Sequence, residues 1–69
     1  MKKSQRTEDI EVEYRVVETS DVTDITLEQL INKNIKGGWT LENVLFAMRE
    51  SSKRPAMAFI LFTKRKKSQ

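Results

Sequence analysis

KNIKGGWTLENV, residues 33–44, holds the only two glycines of the chain, followed at once by its only tryptophan. The stretch decides the fold because it marks where a helix must stop and a strand begin. Just before it, Leu27, Leu30, Ile31 and Ile35 recur at the spacing of one helical face. Glycine adopts the left-handed backbone that ends a helix without the steric cost a Cβ imposes. One of Gly37 and Gly38 is therefore expected at that position, and the other lets the chain reverse. Trp39 then lands where helix and sheet meet, covering the end of a small core. Upstream, Thr26 and Gln29 have the spacing of a capping box. Glu28 lies near the positive end of the helix dipole, with Lys33 and Lys36 near the negative end. The pattern predicts a helix over residues 27–36.

Working outward, WTLENVLFAM reads as a strand with Trp39, Leu41, Asn43 and Leu45 on one face and Val44, Phe46 and Met48 on the other. RESSKRP, residues 49–55, is a polar connection, and AMAFILFTK, residues 56–64, is a third strand. That last strand is apolar on both faces, with Met57, Phe59 and Leu61 on one and Ala58, Ile60 and Phe62 on the other. Strands of this kind belong at the centre of a sheet. On the amino-terminal side, TSDVTDI at residues 19–25 collects turn-forming side chains. Before it, Ile10, Val12, Tyr14 and Val16 alternate with Glu11, Glu13 and Arg15. Period two predicts a strand over residues 10–18 with its apolar set toward a core. The order is β-α-β-β, an α+β fold. With the third strand central, the sheet runs 1-3-2, a split βαβ with a right-handed crossover and one helix on one face.

Laid out this way, the chain resembles the domain-of-unknown-function family 4177 of small bacterial and phage proteins. The likeness rests on EYRVVE at residues 13–18, the helix LEQLINKNIKGGW, the segment GGWTLENV and the closing strand FILFTKR. Gly38-Trp39 with Leu41 is its most specific part, while Thr40 stands where a glutamate is common in the family. The resemblance implies the β-α-β-β architecture and transfers no catalytic residue.

Sixty-nine residues bound the rest. The chain reads as a disordered polar segment at residues 1–9, one domain at 10–65 and a basic tail at 66–69. A domain this small buries only about 60% of the surface its unfolded form exposes, so it needs a staple. Neither cysteine nor histidine is present, which excludes disulfides and thiolate or imidazole metal sites. A partner chain remains, and a homodimer is the expected form. No apolar run approaches the ~20 residues of a membrane-spanning helix, and the opening residues lack a secretory signal. The expectation is a soluble cytoplasmic protein with no membrane contact.

The same composition removes most enzymes, since thiol nucleophiles, histidine triads and imidazole acid–base chemistry have no residues to use. Glu11 and Glu13 read as a solvated strand face, and Asp21 and Asp24 as turn residues. Tyr14, Met48 and Met57 read as core or rim. No catalytic residue, metal site or cofactor is expected. Gly37, Gly38 and Trp39 are assigned to the turn and core. Val44, Phe46 and Met48, with Ile60 and Phe62, are the candidate dimer face, although the pattern leaves open which sheet face the helix takes. Seven basic residues at the two ends against Glu8 and Asp9 leave the ends at +5. The body at residues 10–63 has six basic and eight acidic residues, giving −2. Lys64, Arg65, Lys66 and Lys67 are thus the candidate contact to nucleic acid, or gatekeepers that keep the apolar strand from aggregating. The functional expectation is a non-catalytic interaction module that self-associates or binds a protein partner. The alternative is an accessory protein touching DNA or RNA through its basic ends.

Overall fold

The computed structural model describes residues 10–49 and 53–67. Four elements follow one another: β1 (Ile10–Thr19), α1 (Asp24–Lys36), β2 (Thr40–Met48) and β3 (Pro55–Lys67). They form one sheet in the order β1-β3-β2, with β3 antiparallel to both neighbours. This is the α+β arrangement that the β-α-β-β pattern predicts. β3 takes the centre because both of its faces are apolar, whereas β1 and β2 each have polar positions to turn toward water.

Ala58, Ile60 and Phe62, on one face of β3, have no exposed surface and make up the core. Their cross-strand neighbours are Val17, Leu41, Val44 and Phe46. The helix lies on this face. Arg15, which stands opposite Phe62, donates from Nη1 to Asn34 Oδ1 of α1 at 2.8 Å. Leu27, Leu30 and Ile31 turn inward and are half-buried, but the next inward position is Asn34 and not the expected Ile35, which is half-exposed. Asn34 can sit there because both ends of its amide are satisfied: Nδ2 donates to the Leu30 carbonyl at 2.7 Å, and Oδ1 accepts from Arg15.

The helix starts earlier than the spacing predicts. Thr23, with φ −125° and ψ 159°, is the N-cap and accepts from the Thr26 amide, while Asp24 supplies the acidic first turn. Thr26 is a helical residue whose hydroxyl donates to Asp21 Oδ2 at 2.7 Å. At the other end the glycines behave as expected. Gly37 caps the helix at φ −81°, and Gly38 takes the left-handed position at φ +95°. The Trp39 amide donates to the Asn34 carbonyl and the Gly38 amide to the Ile35 carbonyl, the two bonds of a Schellman turn.

Two features of the strands depart from simple alternation. In β2 the register shifts between Leu41 and Asn43, so Glu42 is an extra residue opposite Leu61. This bulge brings Leu41 onto the face of Val44 and Phe46, whereas strict alternation separates them. Asn43 Oδ1 accepts from the Val44 amide at 2.8 Å beside the break in the ladder. β3, in turn, runs to Lys67 and pairs along its whole end with β1, Glu11 opposite Lys66 and Glu13 opposite Lys64. The expected tail at residues 66–69 therefore begins as strand, its backbone paired with β1. The segment expected to be disordered, residues 1–9, lies outside the described residues.

Candidate interaction face

With α1 on one side of the sheet, the other side has no cover among the described residues. The molecule measures 51 × 27 × 11 Å, and its thin dimension has room for one helix layer and one sheet. Register places Val12, Tyr14, Val16 and Glu18 of β1 on the bare side. They lie opposite Arg65, Thr63, Leu61 and Phe59 of β3, with Leu45 of β2 flanking Phe59. The exposures are large for apolar side chains on a sheet: Tyr14 70%, Val16 61%, Leu45 55% and Val12 47%. Soluble chains leave such residues exposed singly far more often than in a contiguous group.

This arrangement corrects two expectations. The alternating apolar set of β1 is expected to meet the core, yet it faces away from the helix, and Arg15 and Val17 are on the helix side. The expected dimer face also changes. Ile60 and Phe62 are fully buried in the chain's own core, and Val44 beside them is half-buried. Phe46 remains half-exposed on the helix side, and Met48 is exposed opposite Pro55, past a second register shift. The physical reason is coverage: α1 packs over the β3 face that holds the smallest side chain, Ala58, and the branched Ile60, leaving Met57, Phe59 and Leu61 on the other.

At one end the bare face dips into an open groove of ≈ 460 Å³, lined by Val12, Tyr14, Thr40, Glu42, Leu61, Thr63 and Arg65. Its lining mixes apolar side chains with two threonines, one carboxylate and one guanidinium. Thr63 Oγ1 donates to Glu42 Oε2 at 2.6 Å, which fixes the bulged residue against the central strand. Among the described residues no three His, Cys, Asp or Glu side chains gather as a metal site. No described helix is long and apolar enough to cross a membrane.

The turn residues meet a different set of side chains. Trp39 is half-buried, with the Arg15 guanidinium 4.4 Å and the Lys64 ammonium 4.9 Å from its ring centroid. Two cations against one indole hold the helix-to-strand turn onto β1 and β3 by cation–π attraction, typically ~0.5–1 kcal/mol each where exposed. Spacing does not single out Arg15 or Asn34. A buried asparagine in place of an apolar residue leaves no periodic signature, and Arg15 looks like any outward charge of an edge strand. The basic residues of β3 are divided between the two faces. Lys64 and Lys66 stand on the helix side opposite Glu13 and Glu11, and Arg65 is on the bare side opposite Val12.

Fold and site together define a two-layer α+β domain whose sheet, among the described residues, is covered by the helix on one face and uncovered on the other. No family model, curated protein or solved structure matches this chain.

Proposed function

We propose that the protein is a non-catalytic interaction module that self-associates through its bare sheet face. The observation that supports this most directly is the set Val12, Tyr14 and Val16 of β1, with Leu45 across β3, each close to half exposed or more on a sheet face with no helix over it among the described residues. Leaving that set in water is unfavourable at about 25 cal/mol per Å², and only another apolar surface removes the cost. Among the described residues the core beneath the helix has three fully buried apolar side chains, a small core that a partner would supplement. Cytoplasmic residence and membership of family 4177 belong to the same proposal, and the family adds no activity to it. Lys64, Arg65 and Lys66 favour protein over nucleic acid as the partner, because a phosphate backbone calls for cations on one surface and these are split between two.

Sedimentation velocity from about 10 to 500 µM brackets the micromolar Kd of a modest interface. The wild type is expected to associate, and Val16→Lys/Leu45→Lys to stay monomeric with an unchanged far-UV spectrum. A wild type that remains monomeric across the range rejects the reading. A salt-sensitive shift of generic DNA by that monomer points to the nucleic-acid alternative.

A further inference from the structure

The two outer edges of the sheet are unlike. β2 pairs with β3 through two register shifts, and such irregularities blunt an edge against further pairing. β1 pairs with β3 without a break over all ten of its residues, and it contains no proline, glycine or lysine. Its other edge has no strand beside it among the described residues, and α1 packs closer to β2 than to β1. An open, regular edge presents a row of main-chain donors and acceptors to any strand that fits. What guards it is charge alone: Glu11, Glu13 and Arg15 on the helix side and Glu18 on the bare side.

We propose that this edge pairs antiparallel with the same edge of a second copy, with Tyr14 opposite Tyr14 on a two-fold axis normal to the sheet. The contact is distinct from the stacking of bare faces proposed above and does not rest on it. Such an axis keeps both helices on one side and both bare faces on the other, giving one sheet in the order β2-β3-β1-β1-β3-β2. Directly opposed residues share a face, so the axis falls on a residue, and charge tells the choices apart. An axis at Val12 sets Glu11 against Glu13. Axes at Glu13 and at Arg15 set those residues against themselves. An axis at Val16 avoids like charges but leaves Tyr14 opposite Glu18 and pairs only residues 13–19, and axes nearer either end pair fewer still. An axis at Tyr14 overlaps residues 10–18. It sets Glu13 opposite Arg15, Glu11 opposite Val17, Glu18 opposite Ile10 and Val12 opposite Val16. The Arg15 guanidinium is already held by Asn34 and the Trp39 ring, so this register is selected by the absence of opposed like charges and not by a new ion pair.

An overlap of this length spans about 30 Å at ~3.3 Å per residue and exchanges about eight to ten main-chain hydrogen bonds. The strip is ~10 Å thick, roughly 300 Å² per copy, so the affinity lies in those hydrogen bonds more than in buried area.

A single introduced cysteine tests the register, since the chain has none of its own. Residues opposed across an antiparallel pair have Cα atoms ~4.5–5.5 Å apart, within reach of a disulfide, whereas sheets stacked ~10 Å apart are beyond it. In oxidised glutathione, Tyr14→Cys is expected to form a disulfide-linked dimer on the order of tenfold faster than Val12→Cys or Val16→Cys, whose counterparts lie about 13 Å away along the strand. A mixture of those two variants is expected to cross-link as Tyr14→Cys does. Far-UV circular dichroism of each variant establishes that these exposed substitutions leave the chain folded. The Tyr14→Cys cross-link is also expected to persist when Leu45→Lys, on β2, weakens the face contact. Val16→Lys, by contrast, places on the edge the residue type that natural edge strands use against pairing. The double variant above is therefore monomeric under both contacts. Equal rates at the three positions, preference for Val16→Cys, or loss of the Tyr14→Cys cross-link on adding Leu45→Lys each overturn the edge pairing. Any association of the wild type is then left to the bare faces.

Discussion

Gly38 and Gly37 are neighbours of the same type with unlike duties. Gly38 holds φ +95°, where any Cβ is strained, and a Cβ there would also meet the Lys64 side chain 3.2 Å away. The lysine can move, so the backbone conformation sets the cost. Gly38→Ala is expected to destabilise by about 1–2 kcal/mol, or roughly 4–8 °C of Tm per kcal/mol in a domain of this size. Gly37 holds an ordinary φ of −81°, and its added Cβ finds only van der Waals neighbours, the Asn34 carbonyl at 3.4 Å and Trp39 Cδ1 at 3.6 Å. Gly37→Ala is therefore expected within about 1 kcal/mol of wild type, on the stabilising side if the unfolded chain is what it stiffens. Thermal melts of the two variants at one protein concentration decide it. Equal losses would show that the left-handed residue is not what ends the helix.

At the scale of elements, the strand that matters most is β3, and its basic end is part of the sheet. Residues 64–67 pair with β1 over Ile10, Glu11, Val12 and Glu13, and Lys64 also touches the Trp39 ring. Truncation after Thr63 strips those partners from β1. The expected loss is roughly 1–3 kcal/mol, from cross-strand pairs worth ~0.2–1 kcal/mol each together with one cation–π contact. A denaturant melt that does not change on truncation would mean these residues add nothing beyond solubility. The experiment also bears on nucleic acid, since lost binding in a truncated chain has to be separated from lost folding.

At the scale of the whole molecule, a thin two-layer body leaves stability and association linked. If the bare face is closed by a second copy, only the folded chain is bound, and mass action raises Tm with concentration. At one hundred times the dissociation constant this linkage is worth about 2.7 kcal/mol, a shift of many degrees at this size. Val16→Lys/Leu45→Lys is expected to melt at a temperature independent of concentration and near the low-concentration wild-type value. A wild-type Tm constant up to that concentration would separate folding from self-association altogether.

Element types, their order and the central place of β3 were legible in the sequence because they depend on local quantities. These are period two in β1, the helical spacing of Leu27, Leu30 and Ile31, the glycine pair at residues 37–38, and a third strand apolar on both faces. The face of the sheet that remains bare was not legible. β3 offers two apolar faces of nearly equal hydrophobicity, so periodicity has nothing with which to choose between Ile60 and Leu61. The choice is made by the docking of α1, through Asn34 and Arg15 at one end and through a β2 bulge that moves Leu41 onto the covered side. A one-residue bulge exchanges faces for everything beyond it, and no alternation pattern reveals where it falls. Sequence alone thus determined which residues are apolar and in which elements they lie. Only tertiary packing decided which of them are core and which meet the solvent or a partner, because that depends on where the single helix comes to rest.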